Sequence, residues 1–306
     1  MQLWEHYYTP GSVDETLSLL KTHDGDARII AGGTDLLIDL QYGDEKHKLA
    51  ALVDVTRVPE MTRIEADGEW IVVGAAVTHT NIVKSALLEA RATCLVESCG
   101  VVGGPQVRNV GTLGGNVAHA LPAGDGTTSL VALDAQAEVA WADGRREWLP
   151  IVSLYKGAGV SALDSSRDVL VAFRFRPSGA GEGTAFKRIM RPQGVALPVL
   201  GCAIWVRLDA ERTAYEDVRV CIGPIGATPA RAADVEAALR GQPANEESLL
   251  RAVDAAYLSL KPRTSKYRAT AQYRQYMIET LLKEALPLAA ERARTGEAQA
   301  QGVGMG

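Results

Sequence analysis

The sequence predicts an α+β fold, and three observations carry that prediction. Alternating apolar runs joined by Asp-Gly turns, at 67–68 and 143–144, read as β-hairpins. Near the N-terminus, short apolar runs lead through glycine turns into amphipathic segments, the pattern of strand–helix units. The last third runs strands first and helices afterwards, which a strictly alternating doubly wound sheet does not do.

Taken in order, Ser12 stands three residues before Glu15, a capping box opening a helix with Val13, Leu17 and Leu20 as its apolar stripe. Residues 29–40, IIAGGTDLLIDL, read as a short strand, a Gly-Gly turn and a helix. AALVDVTRV follows as a strand, MTRIEADGEWIVVGAAVTH as a hairpin and NIVKSALLEARATCLVESC as helical. After the stretch GGPQVRNVGTLGGN at 103–116 comes an apolar segment, then two strands around Asp143-Gly144 and a strand ended by Pro177. GAGEG at 179–183 is the linker candidate. Three strands follow, then helices at Asp234–Arg240, Ser248–Leu258 and Ala269–Ala290, the last with Tyr273, Tyr276, Met277, Thr280 and Leu281 toward one side. The expected divisions are 1–57, 58–178 and 179–290, with 291–306 a frayed tail.

Composition narrows the function. A chain of 306 residues corresponds to about two domains by length alone. Its 47% hydrophobic and 23% charged residues are those of a soluble protein with a core. A net charge of −5 without a basic tract excludes nucleic-acid binding by bulk electrostatics, and the locally basic 260–274 is not a nucleic-acid patch. No apolar run reaches the roughly 18 residues of a spanning helix, and the N-terminus lacks a signal-peptide pattern, so a cytoplasmic protein is expected. Cys94, Cys99, Cys202 and Cys221 form no CxxC pair or metal-type cluster and read as buried small hydrophobes.

The two glycine stretches carry the chemistry. Ala31-Gly32-Gly33-Thr34-Asp35, between a strand and a helix, would leave backbone N–H groups pointing one way, the geometry that holds a phosphate. It is neither a Walker loop nor GxGxxG; a tight turn with Thr34 as helix cap is the plainer alternative. In the second stretch Asn109 and Gly111 suit positive-φ turns, Thr112 offers a hydroxyl, Gly114 and Gly115 bare backbone, and Asn116 an amide. Asp125 follows nine residues later and could accept hydrogen bonds from ribityl or ribose hydroxyls. Two donor loops and an acceptor, with no nucleophile or metal cluster, suit a large diphosphate-bearing cofactor.

Both stretches, in this order and separation, resemble the FAD-binding medium subunit of the molybdenum hydroxylases, the xanthine dehydrogenase and carbon monoxide dehydrogenase family. AGGTDLL at 31–37 resembles its first flavin loop and RNVGTLGGNVAHALPAGD at 108–125 its second. MQLWEHYYTPGSVDETLSLL and GTAFKRIMRPQGVALPVLGCAI extend the likeness, which covers about 1–285. The resemblance implies two α/β subdomains of the PCMH-type FAD fold, then a C-terminal domain with a three-stranded antiparallel sheet and helices.

It also implies roles for particular residues. Ala31, Gly32, Gly33, Thr34 and Asp35 would meet the pyrophosphate, with Ile29 and Ile30 near the adenosine. Gly111, Thr112, Gly114, Gly115 and Asn116 would line the diphosphate and ribityl chain, Asp125 would bind flavin hydroxyls, and His119 could touch the cofactor or be structural. Val101 and Val102 match the positions flanking the isoalloxazine ring, and Leu170 an apolar residue near it. Lys187 matches a lysine at the pyrimidine end, where positive charge favours a reduced, anionic flavin; a solvated strand-edge lysine is the alternative. Arg188, Arg191 and Pro192 could face a pyrophosphate, a partner subunit or solvent.

Two departures stand out: animal members carry an aromatic ring where Val102 falls, and the cysteine-rich four-iron insert of some reductases is missing. The implied cofactor set is therefore non-covalent FAD here, with molybdopterin and [2Fe-2S] clusters on a large and a small partner subunit, assembled as a dimer of heterotrimers. The rival readings are a self-contained FAD oxidoreductase of the vanillyl-alcohol oxidase type and a flavin-free interaction protein. The substrate would be read by another chain.

Overall fold

The computed structural model describes residues 3–42, 48–191 and 197–302. Three sheets organise it. The first is parallel, with β1 (Trp4–Tyr8), β2 (Ala27–Ile30) and β3 (Leu49–Asp54) in the order β1-β3-β2. Its connections run through α1 (Val13–Thr22) and α2 (Leu36–Tyr42). Helix α1 starts where expected because the Ser12 hydroxyl accepts the Glu15 N–H at 3.1 Å. The Glu15 carboxylate reaches back to the N–H of Gly11 at 2.7 Å, one residue before a regular capping box.

The second sheet is antiparallel, in the order β4-β5-β10-β6-β7. It contains β4 (Ile64–Asp67), β5 (Trp70–Gly74), β6 (Gln136–Ala140), β7 (Arg146–Pro150) and β10 (Val169–Phe175), with a ribbon of β8 (Tyr155–Gly157) and β9 (Val160–Ser161) alongside. Both Asp-Gly turns close hairpins, and Gly68 and Gly144 supply the positive φ those turns need. Between β5 and β6 lie six short helices. The expected helical stretch 81–99 divides into α3 (His79–Val83), α4 (Ala86–Arg91) and α5 (Thr93–Gly100) because Ser85 caps a new start. Residues 103–116, expected as loop, contain α6 (Pro105–Val110) and the first turn of α7 (Leu113–Ala118); α8 (Asp125–Ala132) follows.

The third sheet is antiparallel, β11 (Glu182–Ile189), β12 (Leu200–Leu208) and β13 (Tyr215–Gly223), backed by α9 (Ala233–Leu239), α10 (Glu246–Ser259) and α11 (Ala271–Thr295). The face expected for α11 shifts. Tyr273 and Tyr276 are 44% and 53% exposed, while Ile278, Leu281, Leu282 and Ala285 are buried. Of the expected tail, residues 291–295 belong to α11, and the backbone N–H groups of Ala300 and Gln301 donate to Glu89 and Glu97. The four cysteines are buried and unpaired, as expected.

Strand β11 joins the third sheet to the rest, and its two faces do different work. Gly183 and Ala185 pack on α11; a Cβ at Gly183 would sit 2.2 Å from the Ala289 carbonyl. Thr184 and Phe186 face α5 and the central core. There Glu97 of α5, its side chain 1% exposed, accepts the Phe186 N–H at 2.7 Å, Arg292 Nη2 at 2.6 Å and the Gln301 N–H at 2.9 Å. Arg292 also donates to the Thr184 carbonyl at 2.7 Å. A buried ion pair with its remaining lone pairs and protons satisfied holds its geometry.

Candidate functional site

The two glycine stretches meet. A Cβ at Gly32 would lie 2.2 Å from the Val110 carbonyl oxygen and 2.7 Å from Gly111 Cα, so only glycine admits that approach. Gly33 has φ +66°, the left-handed region that favours glycine. Beside this contact opens a cavity of about 520 Å³, within the usual range of ligand pockets. Its wall comes from the end of β2, the 31–35 turn, His79, parts of 102–125, Ser165, Arg188 and Leu197.

The backbone donors of the two stretches differ in state. Among the described residues, no backbone or side-chain acceptor engages the N–H groups of Gly32, Gly33, Thr34 or Asp35. In the second stretch the N–H of Leu113 goes to the Val77 carbonyl at 3.0 Å and that of Gly114 to the Ala75 carbonyl at 2.8 Å. Gly115 donates to the Thr112 hydroxyl, which caps α7, at 3.0 Å. The expectation of bare donors at Gly114 and Gly115 is thus corrected: α7 and the chain after β5 consume them. Gly111 has φ −62° and Asn109 lies inside α6, so neither takes the expected positive φ.

Polar side chains on the cavity wall lack partners. Asn116 Oδ1, Asp125 Oδ1, Arg188 Nε and His79 Nδ1 are all buried without a hydrogen bond. Buried polar groups are mostly paired in native proteins, and four residues of this one wall carry buried polar atoms that lack a protein partner. Asp125 Oδ2 accepts from Arg188 Nη1 at 2.7 Å, both side chains nearly buried. Burial pushes the Asp125 carboxyl up to about 7, outweighing the pull of Arg188 in the other direction. Burial, helped by Arg108, holds His79 down at about 4, so its ring is neutral at pH 7.

The cavity brings together Ile29, Ile30, Ala31, Gly32, Gly33, Thr34, Asp35, Val102, Gly111, Thr112, Gly115, Asn116, His119 and Asp125. His119 Nε2 stands 3.9 Å from Asp35 Oδ1 across it. Four expected residues lie off the wall. Gly114 packs on Ala75 so closely that a Cβ there would fall 2.5 Å from the Ala75 carbonyl oxygen. Val101 caps the end of α5 and Leu170 is buried in β10 within the core. Lys187 sits on the opposite face of β11 from Arg188, with its Nζ 2.9 Å from Gln301 Oε1. Arg191 donates to the Tyr267 carbonyl, and Pro192 lies outside the described residues. Sequence reading passed over Arg28 and His79 as wall residues. His79 has no motif; what places it is its N–H bonded to the Gly111 carbonyl at 3.0 Å.

Comparison with known proteins identifies the class. Residues 2–175 match the family described as FAD binding domain in molybdopterin dehydrogenase, and 184–289 match the CO dehydrogenase flavoprotein C-terminal domain. The chain belongs to the FAD-binding subunit family of the molybdopterin dehydrogenases. It is 31% identical to the alpha subunit of the 6-hydroxypseudooxynicotine dehydrogenase complex of Paenarthrobacter nicotinovorans, covering 94% of this chain and 95% of that one. It is 29% identical to the carbon monoxide dehydrogenase medium chain of Hydrogenophaga pseudoflava, covering 92% and 95%. A solved structure of carbon monoxide dehydrogenase from Hydrogenophaga pseudoflava superposes with a TM-score of 0.86 at 29% identity, over 95% of this chain and 99% of that chain.

Membership makes this an oxidoreductase subunit of the FAD-binding kind and favours that reading over its two rivals. The wall fits FAD on its own terms, with free N–H groups at one loop and unpartnered donors and acceptors at Asn116, Asp125 and Arg188. Among the described residues no helix is long and apolar enough to cross a membrane, and no His, Cys, Asp and Glu cluster could hold a metal ion.

Proposed function

We propose that this chain carries electrons between an iron–sulfur subunit and an external acceptor within a three-chain molybdenum hydroxylase. The observation that carries the reading is the pairing of an unsatisfied donor loop at 32–35 with unsatisfied polar atoms at Asn116 and Asp125 on one cavity. FAD, when bound, supplies chemistry that accepts and releases electrons singly or in pairs. The residues supply its setting. Backbone N–H groups of 32–35 hold the pyrophosphate, Ile29 and Ile30 pack beside the adenosine, and Asn116 and Asp125 take hydrogen bonds from cofactor hydroxyls. Thr112 acts indirectly, by capping α7 and so fixing Asn116.

The proposal includes a cytoplasmic dimer of heterotrimers, with molybdopterin on the large subunit and [2Fe-2S] clusters on the small one, and a chain divided near residues 57 and 178. Relatives with these names are subunits of complexes, and the break between the two family matches, 175 to 184, supports the second division. The test is flavin uptake by the purified chain. One FAD per chain with a band near ~450 nm is expected; a chain that stays colourless with excess FAD refutes the reading. Co-purification of molybdenum and iron with the tagged chain from its native host tests the assembly.

A further inference from the structure

Strand geometry separates two neighbours that the sequence presents together. Successive side chains of a strand point to opposite faces, so Lys187 and Arg188 cannot serve the same site. The pairing of β11 with β12 is unbroken from Glu182 to Ile189, which fixes the alternation along the whole strand. Lys187 shares its face with Gly183 and Ala185 toward α11, and its ammonium meets Gln301 beyond that helix. Arg188 shares its face with Thr184 and Phe186, which pack on α5, and its guanidinium enters the cavity wall.

The Arg188 side chain is 7% exposed and only partly satisfied. Nη1 donates to Asp125 Oδ2 at 2.7 Å, Nη2 meets the Met190 thioether at 2.8 Å, and Nε has no partner. Sulfur is a weak acceptor, so one edge of the guanidinium is well held and the other is poorly used. Asp125 Oδ1 and Asn116 Oδ1, on residues of the same wall, are likewise buried without a partner. Donor and acceptors thus stand together on one wall, and the donor carries full positive charge.

We propose that Arg188, and not Lys187, is the cation of the flavin site: it holds Asp125 with one edge and presents the other to the cofactor. The assignment rests on the FAD reading above. Lys187 then has a structural task, tying the segment after α11 to β11. Arginine suits the position because its planar fork serves two partners at once, whereas a lysine gives one point charge. Loss of the guanidinium takes its charge from the wall and leaves Asp125 Oδ2 without the donor that holds it.

The test compares Arg188→Met, Arg188→Lys and Lys187→Met in the full chain. FAD affinity is read by titration of the apoprotein, and the flavin midpoint potential by equilibration of the loaded protein with redox dyes. Arg188→Met should weaken FAD binding about tenfold or more, the size of a lost charged hydrogen bond, and lower the midpoint potential by removing positive charge. Arg188→Lys should restore the potential but only part of the affinity. Lys187→Met should keep affinity within about twofold and leave the potential unmoved. Potential and conservative rescue separate this role from mere packing, and a thermal melt confirms that each variant is folded. A Lys187→Met variant that shifts the potential while Arg188→Met does not, or two variants with wild-type flavin, overturns the assignment while the FAD reading stands. A wild-type chain that takes up no FAD overturns both.

Discussion

The 31–35 turn and the 103–116 stretch are both rich in glycine, yet glycine does different work in each. In the turn, Gly32 lets the chain pass within contact of Val110 and Gly111, and Gly33 supplies a positive φ; the N–H groups are left open. In the longer stretch the N–H groups of 113–116 are consumed by α7 and by the Ala75 and Val77 carbonyls. Gly114 serves close packing, and Gly115 faces space with only the Thr112 hydroxyl near. A glycine-rich segment is therefore not by itself an anion cradle. The difference lies in whether a short helix has already claimed the donors.

The sharpest way to break this comparison is Gly32→Ala. The added methyl would fall against backbone atoms of residues 110 and 111, which cannot move aside without parting the loops. We expect a loss of about 2–3 kcal/mol in denaturant unfolding, together with loss of bound flavin; a stable variant with full flavin would show that the contact is dispensable. Gly115→Trp should act on the cofactor alone. Its Cβ has no neighbour closer than Thr112 Oγ1 at 3.1 Å, so the ring has the cavity to fill. Flavin content should fall below about a tenth of wild type while the melting temperature stays within a few degrees; unchanged flavin would remove 111–116 from the site.

The third test concerns pH, in the flavin-free chain. Asp125 has a folded pKa of about 7 against 3.8 unfolded, so the native state keeps a proton that the unfolded state releases. That contribution to stability is present at low pH and is lost as pH rises from about 4 to 7. His79, at about 4 against 6.5, does the reverse: its contribution is present above 6.5 and is lost as pH falls toward 4. Wild type should therefore show a shallow profile in this window. Asp125→Asn should uncover a loss of stability toward acid and His79→Gln a loss as pH rises, each of roughly 2–3 kcal/mol across the window. Thermal melts between pH 4 and 7.5 that are parallel for all three proteins would contradict the assignment.

Much of the fold was legible because its signals are local. The Asp-Gly hairpins, the Ser12 cap and the three strands of the last sheet all depend on neighbours a few residues apart. The site was legible in part for the same reason: the 31–35 turn and Asp125 announce themselves through glycine and an isolated acid. What escaped depends on contacts distant in sequence. The choice between Lys187 and Arg188 turns on which face of β11 meets α5, about 90 residues earlier in the chain. His79 enters the wall only because its N–H pairs with Gly111. Tyr273 and Tyr276 were set on the wrong side of α11 because aromatic residues near a helix start need not follow the stripe that packs later in the helix.

The Glu97 clamp has a consequence in time. Its partners Phe186, Arg292 and Gln301 lie 89, 195 and 204 residues further along the chain. During synthesis at roughly 5–20 residues per second, Arg292 is added some ten to forty seconds after Glu97. Both glycine stretches and Asp125 have been made by then, and so has the strand that carries Arg188, but nothing yet latches that strand to α5 through Arg292. The strand that carries Arg188 can meet α5 through Thr184 and Phe186 as soon as it is made, and the end of the chain adds the charged half of the clamp later.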